Sequence, residues 1–129
     1  MRIEAYERQP TWKLAMKLVA TMYRLTQAFP QTENSGLTVA VRRIVTAIPA
    51  KLADAHGHRD DDEAIKAFAA ASAMLRELQT SQQITWQMRI ISKWKLNRLR
   101  KKCQRLNDMI DICIETCQQN QTPEHKTAA

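Results

Sequence analysis

The residues with the greatest chemical reach stand together in the last third of the chain. Arg89, Lys93, Lys95, Arg98, Arg100, Lys101, Lys102 and Arg105 fall in a window that holds no acid between Leu78 and Asn107. Guanidinium and ammonium groups at this density neutralise phosphates, and a helix carrying them offers a track of positive charge. Trp94, Arg98, Lys101 and Arg105 are spaced by four, three and four, which puts them on one face of a helix. An outward Trp among cations can stack on a nucleobase or sit against a guanidinium. The plainer reading is a solvated helix face whose Trp is covered by a partner subunit. A cationic run without one acid favours a polyanionic partner, either nucleic acid or an acidic protein.

Other reactive side chains make weaker constellations. Cys113 and Cys117 are one turn apart, and His56 and His58 are two residues apart. Either pair supplies two ligands where a structural zinc site needs four. The cysteines also occupy core positions, where a thiol serves as a small hydrophobe. The run Asp60, Asp61, Asp62, Glu63 is explained by a helix start more simply than by a carboxylate metal site. Arg42 and Arg43 either line a basic surface or pore, or pair with acids such as Glu33, Glu77 or Asp54; the structural role is favoured. A Gly-rich phosphate loop, HExxH and G-x-S-x-G are all missing. So are the paired E-x-x-H elements of di-iron bundles, with only the adjacent Glu124 and His125 near that pattern. Nothing supports a pairing of Cys103 with His56. The reading is a non-enzyme without metal or cofactor.

These side chains need a scaffold, and composition narrows it. The 129 residues suit one domain, with 44% hydrophobic and 26% charged residues, as in a soluble globular protein. Two glycines and four prolines are too few for a many-turned β fold and favour a few long helices. Lys and Arg number 20 against 13 acids, a net charge of +7. The odd count of three cysteines reads as reduced thiols. No apolar run reaches membrane length, and Glu4 and Glu7 interrupt the start where a secretory signal would be apolar. A cytoplasmic location is the expectation.

Four amphipathic stretches follow the helical period. The first spans about Gln9 to Ala28, with Pro10 in its first turn and Trp12, Ala15, Val19, Met22, Thr26 and Phe29 as its stripe. Leu14, Leu18 and Leu25 widen that stripe, and Pro30 ends the helix. The second begins near Leu37 and runs toward His56 on Leu37, Val41, Ile44, Ile48 and Leu52. Pro49 inside it predicts a kink, and Gly57 fits its end. The third opens on the acidic run and has an alanine-rich first half. Ser92 is a good cap for the fourth, where Leu96, Leu99, Cys103, Leu106, Ile110, Cys113 and Cys117 repeat without a slip. Met109, Ile112 and Ile114 lie off that stripe. A helix apolar on more than one face needs more than one partner, so these three read as an oligomer interface, with a wide core as the alternative. Short connections make consecutive helices antiparallel neighbours in an up-down four-helix bundle. The expected layout is an N-terminal extension over 1–8, the bundle over 9–119 and a disordered polar tail over 120–129.

A resemblance enters with the first two helices. Trp12 is followed by Tyr23, Leu25, Thr26, Phe29 and Pro30, then by Gly36, Leu37 and Thr38, the pair Arg42 and Arg43, Ile48 and Pro49, and Ala53, Asp54 and Ala55. Glu77 and Leu78 continue the pattern. Together these resemble a bacterial four-helix-bundle family first noticed as reading frames inside intervening sequences of large-subunit ribosomal RNA genes. The chain departs from it at Ala40, Ala47 and Lys51, where Gln, Ser and Asn are common, and at Asp54-Ala55, where Glu-Gly stands. The resemblance implies a left-handed antiparallel bundle assembling as a ring-like homopentamer. A related branch, the accessory variability determinant of diversity-generating retroelements, binds a reverse transcriptase and nucleic acid. The expectation is therefore a non-catalytic scaffold whose basic surface engages nucleic acid, with a reverse transcriptase as the partner the related branch implies; the alternative is a module for an acidic protein partner. Arg98, Lys101 and Arg105 would hold phosphates and Trp94 would stack.

Overall fold

The computed structural model describes residues 3–33 and 36–121. Helix α1 spans Pro10–Gln27, α2 Leu37–Gly57, α3 Asp61–Gln87 and α4 Lys93–Gln119. Among the described residues there is no strand. Each helix begins where local chemistry allows. Pro10 occupies the first turn of α1, where its missing N–H costs nothing. The Asp60 carboxylate accepts from the Asp62 amide at 3.1 Å, and Asp61, Asp62 and Glu63 sit at the positive end of the α3 dipole. Ser92 Oγ accepts from the Lys95 amide at 3.2 Å.

Contacts between helix ends fix an antiparallel order. Thr11 at the start of α1 meets His56 at the end of α2, at 2.7 Å. Thr26 near the end of α1 meets Arg42 near the start of α2, at 2.9 Å. Gln121, just past α4, donates to Asp62 at the start of α3, at 2.7 Å. Thus α1 packs on α2, α2 on α3 and α3 on α4, and α4 returns to α1 through a looser seam. The result is a four-helix bundle.

The core joins all four helices through Leu18, Met22, Val41, Val45, Ile48, Leu52, Leu75, Leu78, Leu96, Leu106 and Ile110. Gln82 is buried in that core among sulfur atoms. Its amide donates to Met22 Sδ and Cys103 Sγ, each at 3.6 Å, and its oxygen accepts from the Cys103 thiol at 3.7 Å. Burial pushes the Cys103 thiol up to about 11.

Several stripe positions differ from the sequence reading. In α1 Ala15, Leu18, Met22 and Thr26 are buried as read, Thr11 joins them, and Trp12 and Val19 are half-buried. A short 3-10 helix over Ile3–Arg8 lies against α1 and α2, and Tyr6 meets the Trp12 ring edge-on at 5.5 Å. That cover leaves Trp12 half-buried beside the bundle, and it gives part of the 1–8 extension a regular structure. In α2 Thr38 and Val45 take the inward positions, with Leu37 and Ile44 half-buried beside them. The helix runs unbroken through buried Pro49, whose ring removes the donor that the Val45 carbonyl would otherwise take. In α4 the stripe is buried through Ile110, while Cys113 and Cys117 are half-buried where the bundle thins. The polar tail lies outside the described residues from position 122 onward.

A candidate nucleic-acid interface at the start of the fourth helix

The turn from α3 to α4 sets the site. The Arg89 amide donates to the Trp86 carbonyl at 2.8 Å, and the Ile90 amide to the Thr85 carbonyl at 3.0 Å. This pair of bonds is a Schellman motif, which requires a left-handed residue after the helix. Arg89 fills that position with φ 62°. Glycine takes such a φ freely, whereas a side chain resists it. The turn therefore holds an exposed arginine in a strained conformation where glycine would fit best.

The cations of α4 then divide among three directions. Lys93 and Arg100 face α3, with the Lys93 ammonium 4.2 Å from the Trp86 ring centroid and the Arg100 guanidinium donating to Gln83 Oε1. Lys95, Arg98 and Lys102 face α1 and line a groove of about 260 Å³ with Arg24, Thr21, Leu25, Ala28 and Leu99. Lys101 and Arg105 stand exposed. The Arg98 guanidinium lies 4.9 Å from the Trp94 ring centroid, and Trp94 itself is 64% exposed. Among the described residues, no carboxylate pairs with any of the eight cations from Arg89 to Arg105; the ion pairs found are Lys51–Asp54, His58–Asp54 and Lys66–Glu63.

Charge on α4 also runs against its own dipole. Lys93 and Lys95 occupy its positive end, while Asp108, Asp111 and Glu115 lie in its C-terminal half. Cations near a helix N-terminus are unfavourable for that helix, and they add to the field its free amides project. An anion placed there meets both.

Arg24 belongs to this site, yet the sequence reading left it out. It is a lone cation in the last turns of α1, and only the packing of α1 against α4 brings it to Lys95, Arg98 and Lys102. Arg42, in contrast, is structural. Its Nε donates to Thr26 Oγ1 at 2.9 Å, and its guanidinium lies 4.7 Å from the Tyr23 ring centroid. Thr26 in turn donates to the Tyr23 carbonyl at 3.1 Å. The clamp uses a hydroxyl and a ring in place of the carboxylate partner weighed from sequence; Asp54, twelve residues further along the same helix, pairs with Lys51 and His58.

The three residues read as an interface separate. Ile112 is 61% exposed, Met109 is half-buried, and Ile114 packs against the core of the bundle. The rotation of α4 turns Ile114 toward the bundle, which removes it from an outward apolar face. His56 hydrogen-bonds Thr11 and meets Phe68 edge-on at 5.0 Å, and burial holds its pKa below the ordinary value. Among the described residues, no three His, Cys, Asp or Glu side chains converge as a metal site would require.

No curated protein matches this chain. A family model described as 23S rRNA-intervening sequence protein matches residues 7–111, which takes in α1, α2, α3 and most of α4. The match includes the Tyr23, Thr26 and Arg42 clamp, buried Pro49 and the basic first half of α4, and the chain belongs to the 23S rRNA-intervening sequence protein family.

Proposed function

We propose that this protein is a non-catalytic, cytoplasmic, homo-oligomeric scaffold whose basic α4 face binds the phosphate backbone of RNA or DNA. The observation that carries the reading is the acid-free run from Arg89 to Arg105, which has no carboxylate partner among the described residues. Eight cations held together cost repulsion, and among the described residues rings and an amide, not carboxylates, are their partners. A polyanion offsets that repulsion directly. Arg98, Lys101 and Arg105 contact phosphates, with Lys93, Lys95 and Lys102 at their flanks and Trp94 as a stacking surface. Assembly into a ring, a pentamer in this reading, repeats the patch on each subunit and raises avidity without new contacts. A reverse transcriptase working on the same nucleic acid is a partner this arrangement would serve.

Salt titration of binding to mixed-sequence oligonucleotides tests the reading. Affinity should fall steeply as salt rises, because each neutralised phosphate releases counterions. Replacing Arg98, Lys101 and Arg105 together by Glu should abolish binding and leave helix content unchanged, since all three are exposed. Unchanged affinity in that triple variant would place the site elsewhere. Salt-sensitive binding to an acidic protein, with none to oligonucleotides, would favour the protein-interaction module instead.

A further inference from the structure

We infer that the seam between α1 and α4 takes a single strand, with its phosphates on Arg24, Lys95, Arg98 and Lys102 and one unstacked base against Trp94. The inference rests on the reading of α4 as a nucleic-acid interface and adds strandedness and a base site to it.

Three features lead there. The first is shape. The groove has a cation from α1 on one wall and three from α4 on the other, above an apolar floor of Leu25, Ala28 and Leu99. Charge on two walls surrounds a thin chain, whereas a duplex rests on a broad convex face.

The second is the neighbouring hollow of about 360 Å³, which shares Leu25, Ala28 and Lys95 with the groove. Phe29, Ile90, Ile91, Ser92 and Trp94 complete its lining, so apolar side chains, two of them aromatic, stand beside polar groups. Bases inside a duplex expose edges and bury their faces, while a base in a single strand offers its faces to aromatic side chains. The hollow falls near the lower end of small-ligand sites, about 300 Å³.

The third is Arg98, which belongs to both. It lines the groove, and its guanidinium lies against the Trp94 ring. A phosphate on Arg98 therefore places the adjoining base beside Trp94. The N-terminus of α4 lies next to the same hollow through Ser92 and supplies further positive potential.

The test uses the full chain with fluorescently labelled RNA of about 12 nucleotides, single-stranded and as a blunt duplex. The wild-type protein should hold the single strand about tenfold more tightly, the scale of one base–aromatic stack. Trp94→Ala should lower single-strand affinity about tenfold and so remove that preference, and Trp94→Phe should restore most of it. Arg24→Glu should weaken the single strand more than the duplex. Both positions are exposed, and circular dichroism checks that helix content is retained. Equal or tighter duplex binding by the wild type, or a preference that survives Trp94→Ala, overturns the groove inference and leaves the basic face standing. Failure of both RNAs to bind at low salt overturns the proposed function, and the groove with it.

Discussion

His56 carries the sharpest residue-level consequence of the packing. Its imidazole contacts the Thr11 hydroxyl and the Phe68 ring, and burial lowers its pKa below 6.5. The unfolded chain therefore binds a proton at His56 before the folded chain does. Stability from this group is fully present above 6.5 and is lost as pH falls through the lower folded-state value. Urea midpoints measured from about pH 7.5 to about pH 5 should decline in the wild type, and His56→Gln should flatten the decline. An unaltered pH profile in that variant would show that His56 does not carry the effect. Gln82 illustrates a different residue-level compromise, since a buried amide satisfied by sulfur alone keeps its position by long contacts.

At the scale of the element, α3 and α4 obey opposite rules. Helix α3 starts with three acids after an Asp cap and is stabilised by its own dipole. Helix α4 starts with two lysines in its first turn, after an arginine forced into a left-handed φ. Both choices oppose local stability at the place where positive charge is densest. Arg89→Gly should relieve the backbone strain and raise stability by about 1 kcal/mol, while weakening oligonucleotide binding. Thermal melts and a binding titration on one preparation check both directions. A variant less stable than wild type would mean that the Arg89 side chain contributes more to the fold than its φ costs.

At the scale of the whole molecule, the bundle is electrically uneven. The end formed by the close of α1 and the start of α4 gathers Arg24, Arg89, Lys93, Lys95, Arg98 and Lys102. The far end carries Asp60, Asp61, Asp62 and Glu63 at the start of α3. Such a dipole orients an approaching polyanion before contact. Assembly is a separate property, and the apolar residue most out of place on the surface of α4 besides Trp94 is Ile112. If the proposed homo-oligomer forms through α4, Ile112→Lys should lower the native mass measured by light scattering with helix content intact. A native mass unaffected by Ile112→Lys would move the subunit contact to another face.

The number of helices, their ends and the basic track were legible in the sequence because each is local. Pro10, the acidic run after Asp60 and the Ser92 cap act within one turn, and charge on α4 needs no partner to be counted. The stripe of α4 through Ile110 was legible because one face of a helix repeats on its own period. Periodicity fixes a face only to within about one residue, so Thr11 is buried while Trp12, covered from outside by Tyr6, is half-buried. Packing alone turned Ile114 inward, gave Arg42 a threonine and a tyrosine as partners, and carried Arg24 across to Lys95, Arg98 and Lys102. Those contacts join residues far apart in the chain, and their distances depend on how neighbouring helices rotate and approach, which no single helix specifies.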